Sequence, residues 1–264
     1  MLQFIFKLWY FFIYKCIIVK NERKIFCMYK VLIFDLDDTL TNNLENVKEA
    51  FKKVIEYRKE KFTEEKFSKF YNIDLKFWSD RANGKLLTPY EDNKEKKVEW
   101  LRANRFIKYF GENNISYEEA VKVNDIYMNG MKEKVVPREN CFEVIKYLYD
   151  KNYKIVIATN GPLIPLKIKI EKLDIFKYMD TIFSAEEIGF MKPSKEFYEA
   201  LMKKSNLKVK EDILFIGDDL EKDIKGGIEN GIDTCWCNYD NIPNNLSYIQ
   251  KYEIHNLVYL KNII

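Results

Sequence analysis

The chain has 264 residues, of which 47% are hydrophobic, 32% charged and 16% aromatic, a balance that excludes a disordered or collagen-like polymer and suits one large domain or two small ones. Its 44 basic and 41 acidic residues give a net charge of +3, and that excess lies in residues 1–27, where Lys7, Lys15, Lys20, Arg23 and Lys24 face only Glu22. The remainder is close to neutral, so no basic face for a nucleic-acid polymer is expected, and a lone histidine, His255, excludes chemistry that needs several imidazoles.

Residues 4–19 form an aromatic-heavy apolar run interrupted by Lys7 and Lys15. A membrane-spanning helix needs about 20 apolar residues, and a cleavable signal needs basic residues ahead of the run and small ones after it. We expect an N-terminal extension over 1–27 and a fold that starts at Met28. Membrane contact would require that extension to be a tilted anchor. Cys16, Cys27, Cys141, Cys235 and Cys237 show no paired spacing, so free thiols and a cytoplasmic location are expected. Cys235 and Cys237 should share one face of a strand.

From Met28 onward, short runs rich in Val, Ile and Phe occur at 29–34, 154–158, 181–183, 213–216 and 234–237. They lack polar alternation, as strands buried on both faces should. Apolar residues at helical spacing separate the later runs: Phe142, Ile145, Leu148 and Tyr149, then Phe197, Ala200 and Leu201, then Ile224 and Ile228. Such alternation predicts an α/β fold, a doubly wound parallel sheet with its function at the carboxyl ends of the strands. Residues 44–135, between the first two runs, read as an inserted all-helical cap domain. Val47, Phe51, Val54 and Ile55 mark its first helix. Thr88-Pro89-Tyr90-Glu91 predicts a helix start with proline at the first helical position, and Ser116-Tyr117-Glu118-Glu119 repeats the capping logic. The lysine-rich tract 93–97 is expected to be a solvated helix face. Pro137 returns the chain to a core domain made of 28–43 and 136–264. Tyr252 to Leu257 reads as an edge segment, and no acid–base partner is assigned to its His255.

Three runs end in groups that carry chemistry. Asp35-Leu36-Asp37-Asp38-Thr39 follows the first, and residues i and i+2 of extended chain face the same way, so Asp35 and Asp37 project together. One carboxylate can attack while the other donates a proton to the leaving oxygen, and a cation must offset their repulsion. A turn or capping cluster is the competing reading. Thr159-Asn160-Gly161-Pro162 follows the second run and offers a hydroxyl, an amide and backbone N–H groups at a helix start, which suits an anion or an ordinary cap. Lys192-Pro193-Ser194 can bring positive charge near a phosphate. Gly217-Asp218-Asp219 with Asp223 adds carboxylates at a further strand end, an oxygen-only set suited to Mg²⁺. Gly226, Gly227 and Gly231 do not form a dinucleotide fingerprint and read as helix packing and a helix stop.

Taken together, Asp35-x-Asp37-x-Thr39, Thr159-Asn160, Lys192-Pro193 and Gly217-Asp218-x4-Asp223 resemble the four motifs of the haloacid dehalogenase-like hydrolases, with the insertion where that family's helical cap sits. The resemblance implies that Asp35 is the nucleophile and forms an aspartyl-phosphate. It makes Asp37 the general acid and then base, and Thr159, Asn160 and Lys192 the phosphate-binding residues. It assigns Mg²⁺ to Asp35, the backbone carbonyl of Asp37, and Asp218, with Asp223 supporting. An acid at position 37 points to a small phosphate ester as partner, not a haloacid. Phe77-Trp78-x4-Asn83-Gly84, Ser184-Ala185-Glu186-Glu187-Ile188-Gly189 and Asn230-Gly231-Ile232-Asp233-Thr234-Cys235-Trp236 are similar to the bacterial pyrimidine-nucleotide 5′-nucleotidases. That implies hydrolysis of nucleoside 5′-monophosphates such as UMP, dUMP and dTMP. A sugar-phosphate phosphatase or phosphomutase, and a phospho-accepting signalling domain, remain the alternatives. Trp78 and Trp100 read as cap core.

Overall fold

Strand β1 (Val31–Phe34) leads into four helices, α1 (Asn43–Tyr57), α2 (Glu64–Ala82), α3 (Lys94–Phe110) and α4 (Tyr117–Glu133). Helix α5 (Cys141–Asp150) then brings the chain to β2 (Lys154–Thr159), and α6 (Leu163–Lys172) follows it. The later strands are β3 (Thr181–Ser184), β4 (Ile213–Gly217), β5 (Asp233–Cys237) and a short β6 (Tyr252–Ile254). The computed structural model describes residues 29–264 except 83, 162 and 208. The expected extension over 1–27, the start at Met28, and Cys16, Cys27, Asn83 and Pro162 therefore lie outside the described residues.

Among the described residues the strands form one parallel sheet in the order β3-β2-β1-β4-β5-β6. Successive residues of a strand point to opposite faces, and both faces of this sheet are apolar. Leu32, Phe34, Ile155, Ile157, Leu214 and Ile216 pack on one face against Val144, Ile145, Leu166 and Ile170 of α5 and α6. Val31, Ile33, Val156, Ala158 and Phe215 pack on the other against Phe197, Tyr198 and Leu201. Burial on both sides explains why the runs read as continuous hydrophobic stretches, and it makes the sheet doubly wound. Cys235 and Cys237 share the first face as buried free thiols. His255 follows the edge strand, where its Nδ1 lies 2.6 Å from the carbonyl oxygen of Asn238.

The insertion has its own aromatic core. Phe70 stacks on Phe51 with centroids 4.4 Å apart and on Phe106 at 5.3 Å, and the edge of Tyr109 closes the group. The chain crosses into and out of it side by side: Asn42 N donates to Val136 O at 2.8 Å, and Val136 N donates to Asn46 Oδ1 at 2.6 Å.

Two expectations for the insertion are corrected. The Thr88 capping box closes, with Thr88 N donating to Glu91 Oε1 at 2.9 Å and Tyr90 N to Thr88 Oγ1 at 3.2 Å, but it closes on a turn. The Glu91 carboxylate is held there by Arg81 and Lys97 as well. Helix α3 starts later, at Lys94, where Asn93 accepts from Lys96 N at 3.0 Å. Trp78 is not core: it is 37% exposed, and its Nε1 donates to Asp74 Oδ1 at 3.1 Å. Trp100 is half-buried. Among the described residues no helix is long and apolar enough to cross a membrane.

Phe70 has no exposed surface. Phe70→Ala is expected to cost about 3–5 kcal/mol of stability, through lost burial and a residual cavity. Urea unfolding checks this, and a cost below about 1 kcal/mol would contradict the stacked core.

Candidate active site

The sheet register brings the chemical groups together. Phe34 pairs with Ile157 on one side and Ile216 on the other, so the chain leaves β1, β2 and β4 at nearly the same level. Asp35 sits one residue past that level, and its N–H continues the ladder to Ile216 O at 2.9 Å. Asp35 and Lys192 are almost fully buried, and the Lys192 ammonium spends its donors on Asp35 Oδ1 at 2.6 Å, Asp223 Oδ1 at 2.7 Å and Ala158 O at 3.0 Å. A buried cation without such partners would be costly to hold. Asp223 is 1% exposed, and its second oxygen accepts from Asp219 N at 3.1 Å. Gly217 makes room for it: a Cβ there would lie 2.3 Å from Asp223 Oδ2.

Asp218 is held from two sides. Its Oδ1 accepts from Thr39 Oγ1 at 2.8 Å, and its carbonyl accepts from Trp236 Nε1 at 2.8 Å. Asp35, Asp218 and Asp223 each offer an oxygen within 4.8 Å of the others. This all-carboxylate set fits a hard divalent cation. Both Asp223 oxygens already have partners, so Asp35 and Asp218 are the better placed to hold an ion directly. The Asp37 carboxylate lies outside this group and is ion-paired with Lys169.

Thr159 and Asn160 build the loop opposite. Thr159 Oγ1 accepts from Gly161 N at 3.0 Å, which leaves its hydroxyl hydrogen for an anion. The Asn160 side chain clamps the Lys192 backbone, accepting from its N–H at 2.7 Å and donating to its carbonyl at 3.1 Å. Asn160 thus has a structural task beside the phosphate binding expected of it. Ser184 Oγ donates to Gly161 O at 2.7 Å, and Glu186 Oε2 accepts from Leu163 N at 3.1 Å. These contacts explain physically why the Ser184-Ala185-Glu186 stretch accompanies the loop.

Sequence reasoning missed Lys169 and Arg138. Arg138 Nε donates to Asp38 O at 3.1 Å, and its guanidinium stacks over the Tyr239 ring. Lys169 left one signal: it lies on the stripe of α6 that carries the buried Leu166 and Ile170, where a charge needs a partner.

Burial, opposed by Lys192, pushes Asp35 up to about 7. Burial and the charge of Asp35 push Asp218 up to about 8. A nearby divalent cation acts in the opposite sense, because it favours both ionised forms.

Comparison with known proteins agrees with this geometry. The haloacid dehalogenase-like hydrolase family matches residues 29–231. The chain is 28% identical over 237 residues to the HAD-hydrolase YfnB of Bacillus subtilis, covering 89% of this chain and 95% of that protein. The crystal structure of YfnB bound to magnesium matches with a TM-score of 0.76 at 27% identity, over 89% of this chain and 98% of that one. The pyrimidine 5′-nucleotidase YjjG of Escherichia coli is 28% identical over 177 residues, 67% of this chain and 72% of its own length. A glyceraldehyde 3-phosphate phosphatase of Methanocaldococcus jannaschii is 27% identical over 207 residues, 78% of this chain and 84% of its own.

The raised carboxyls make stability and metal binding depend on pH. Neutral Asp35 and Asp218 favour the metal-free fold below the unfolded carboxylate range, about pH 4, and that contribution is lost as pH rises through about 7 and 8. Cation binding needs the ionised forms, so it strengthens over the same window. The metal-free melting temperature should therefore fall from about pH 6 to about pH 9, while the upward shift given by Mg²⁺ grows. Asp218→Ala should remove most of that shift. Scanning calorimetry checks both, and a Mg²⁺ shift that is equal at the two pH values would contradict the assignment.

Proposed function

The chain belongs to the haloacid dehalogenase-like hydrolases and is a phosphoric monoester hydrolase, and we propose that its substrates are nucleoside 5′-monophosphates, pyrimidine ones preferred. The observation that carries this reading is the convergence of Asp35, Lys192, Asp218 and Asp223 at the strand ends, with Asp37 beside them. One oxygen of Asp35 attacks phosphorus, forming an aspartyl-phosphate. The bond to the ester oxygen breaks, and that oxygen takes a proton from Asp37. Water then gives a proton to Asp37 and its oxygen attacks phosphorus. The bond to Asp35 breaks and inorganic phosphate leaves. Thr159 would offer its hydroxyl hydrogen to a phosphoryl oxygen, Lys192 would supply positive charge beside the attacking carboxylate of Asp35, and Asn160 keeps Lys192 in place. Asp35, Asp218 and the backbone carbonyl of Asp37, with Asp223 in support, would hold Mg²⁺, which would supply the charge that lets a phosphate dianion approach these carboxylates.

The division into a core domain (28–43 and 136–264) and a cap domain (44–135) gives the leaving group its surroundings. A cavity of about 360 Å³ beside the carboxylates is lined from the cap by Leu44 and Tyr71 and from the core by Arg138, Trp236, Tyr239 and Ile242. Its size lies within the range of small-molecule sites, and the half-buried Tyr71 ring offers a stacking face to a base. A cap over the strand ends also keeps bulk water from the acyl phosphate. The similarity to a glyceraldehyde 3-phosphate phosphatase supports a second reading, hydrolysis of sugar phosphates.

Phosphate release from a panel of pyrimidine, purine and sugar monophosphates, with and without Mg²⁺, tests the proposal. UMP, dUMP and dTMP should turn over fastest, and only with the metal. Faster release from a sugar phosphate would favour the second reading. Asp35→Asn should keep the fold and lose at least about a thousandfold in kcat, because an amide cannot attack phosphorus. Retained hydrolysis would remove Asp35 as nucleophile.

A further inference from the structure

Helix α6 starts immediately after the Thr159-Asn160-Gly161 loop, and one of its side chains turns back into the site. Lys169 lies between the buried residues Leu166 and Ile170, and its side chain is only 12% exposed. Its ammonium is ion-paired with Asp37 Oδ1, the same atom to which Thr41 Oγ1 donates at 3.4 Å. The other oxygen of Asp37 faces the loop: a Cβ on Gly161 would lie 3.8 Å from Asp37 Oδ2. One oxygen is thus gripped from behind while the other is presented to the reaction space. The neighbouring cations are committed elsewhere, Lys192 to Asp35 and Asp223 and Arg138 to Asp38. The helix is itself anchored to the insertion, since Lys172 Nζ donates to the carbonyl of Glu133 at the end of α4 with a distance of 3.0 Å.

We propose that Lys169 is a positioning residue for Asp37, fixing the carboxyl so that its free oxygen meets the leaving oxygen of the ester and then the attacking water. The inference rests on the phosphatase reading of the same site. During transfer to Asp35, the phosphorus–ester bond breaks and the ester oxygen takes the proton of Asp37. The carboxylate that forms is met at once by the ammonium of Lys169. In hydrolysis the proton passes from water to Asp37 as water oxygen bonds to phosphorus and the Asp35 bond breaks. Lys169 neither gives nor takes a proton in either step. Its contribution is orientation and a fixed charge beside the developing carboxylate, the kind of preorganisation that acts in the transition state more than in binding.

The test uses the full chain with Mg²⁺ and two esters. A nucleoside monophosphate has an alkoxide leaving group that needs a proton, whereas p-nitrophenyl phosphate leaves as a stable phenolate that does not. Lys169→Met should lower kcat/KM on the nucleotide by at least about tenfold, with a clearly smaller fall on the aryl ester. Lys169→Gln should show the same contrast, and Lys169→Arg should recover most of the loss. In an Asp37→Asn background, Lys169→Met should change kcat/KM by less than about twofold. Equal falls on the two esters, a rise in KM with kcat unchanged, or no fall at all would each overturn the inference while the phosphatase reading stood. A parent chain that releases no phosphate from either ester would overturn both.

Discussion

Four carboxylates, those of Asp35, Asp37, Asp218 and Asp223, must coexist at the ends of two neighbouring strands, and the positive charge set among them constrains the rest of the site. Lys192 is the fixed part of that charge. It is 4% exposed and bridges Asp35 and Asp223, so removing Lys192 would leave two buried carboxylates without their cation, at a cost of about 3–5 kcal/mol. Lys169 answers Asp37 in the same way from another element. Two lysines against four carboxylates leave an excess of negative charge, the Asp35 and Asp218 carboxyls are pushed upward, and that is where a divalent ion fits.

The scaffold serves this arrangement. A parallel sheet ends its strands on one side, and placing β1 between β2 and β4 puts the strand that leads into Asp35 at the centre of the group. Packing on both faces fixes the strands rigidly, so the side chains beyond their last residues inherit that precision. The helical insertion leaves the chain immediately after the acidic loop and re-enters near Pro137, where Thr41 bridges to it. The cavity beside the carboxylates draws Asp38, Asn42, Leu44 and Arg138 from this crossing region, and the loop after β5 supplies Asn238, Tyr239 and Ile242 opposite them.

Much of this was legible in the amino-acid sequence, and the parts that were not share a cause. The strands were visible because burial on both faces leaves unbroken runs such as 154–158, and the acidic groups were visible because they follow those runs directly. The Thr88 box misled because a local rule sees Glu91 reaching back three residues, as it does, but not that Arg81 and Lys97 also hold that carboxylate, within a turn that ends before α3. Trp78 was assigned to the core by residue type, whereas its place on α2 leaves its ring partly in water while the nitrogen is tied to Asp74. The clamp from Asn160 to Lys192 and the reach of Lys169 to Asp37 join residues far apart in sequence, and no spacing encodes them. A lysine on a buried helical stripe was the one trace of the second contact.

The account stands on a covalent bond between phosphorus and the side chain at position 35. Rapid acid quenching during turnover, reduction of the acyl phosphate with borohydride and peptide mass mapping measure that bond directly. The account predicts a phosphoryl adduct on the peptide that carries Asp35, present only when substrate and Mg²⁺ are supplied together. An adduct on another residue, or full turnover with no adduct at any quench time, would contradict it.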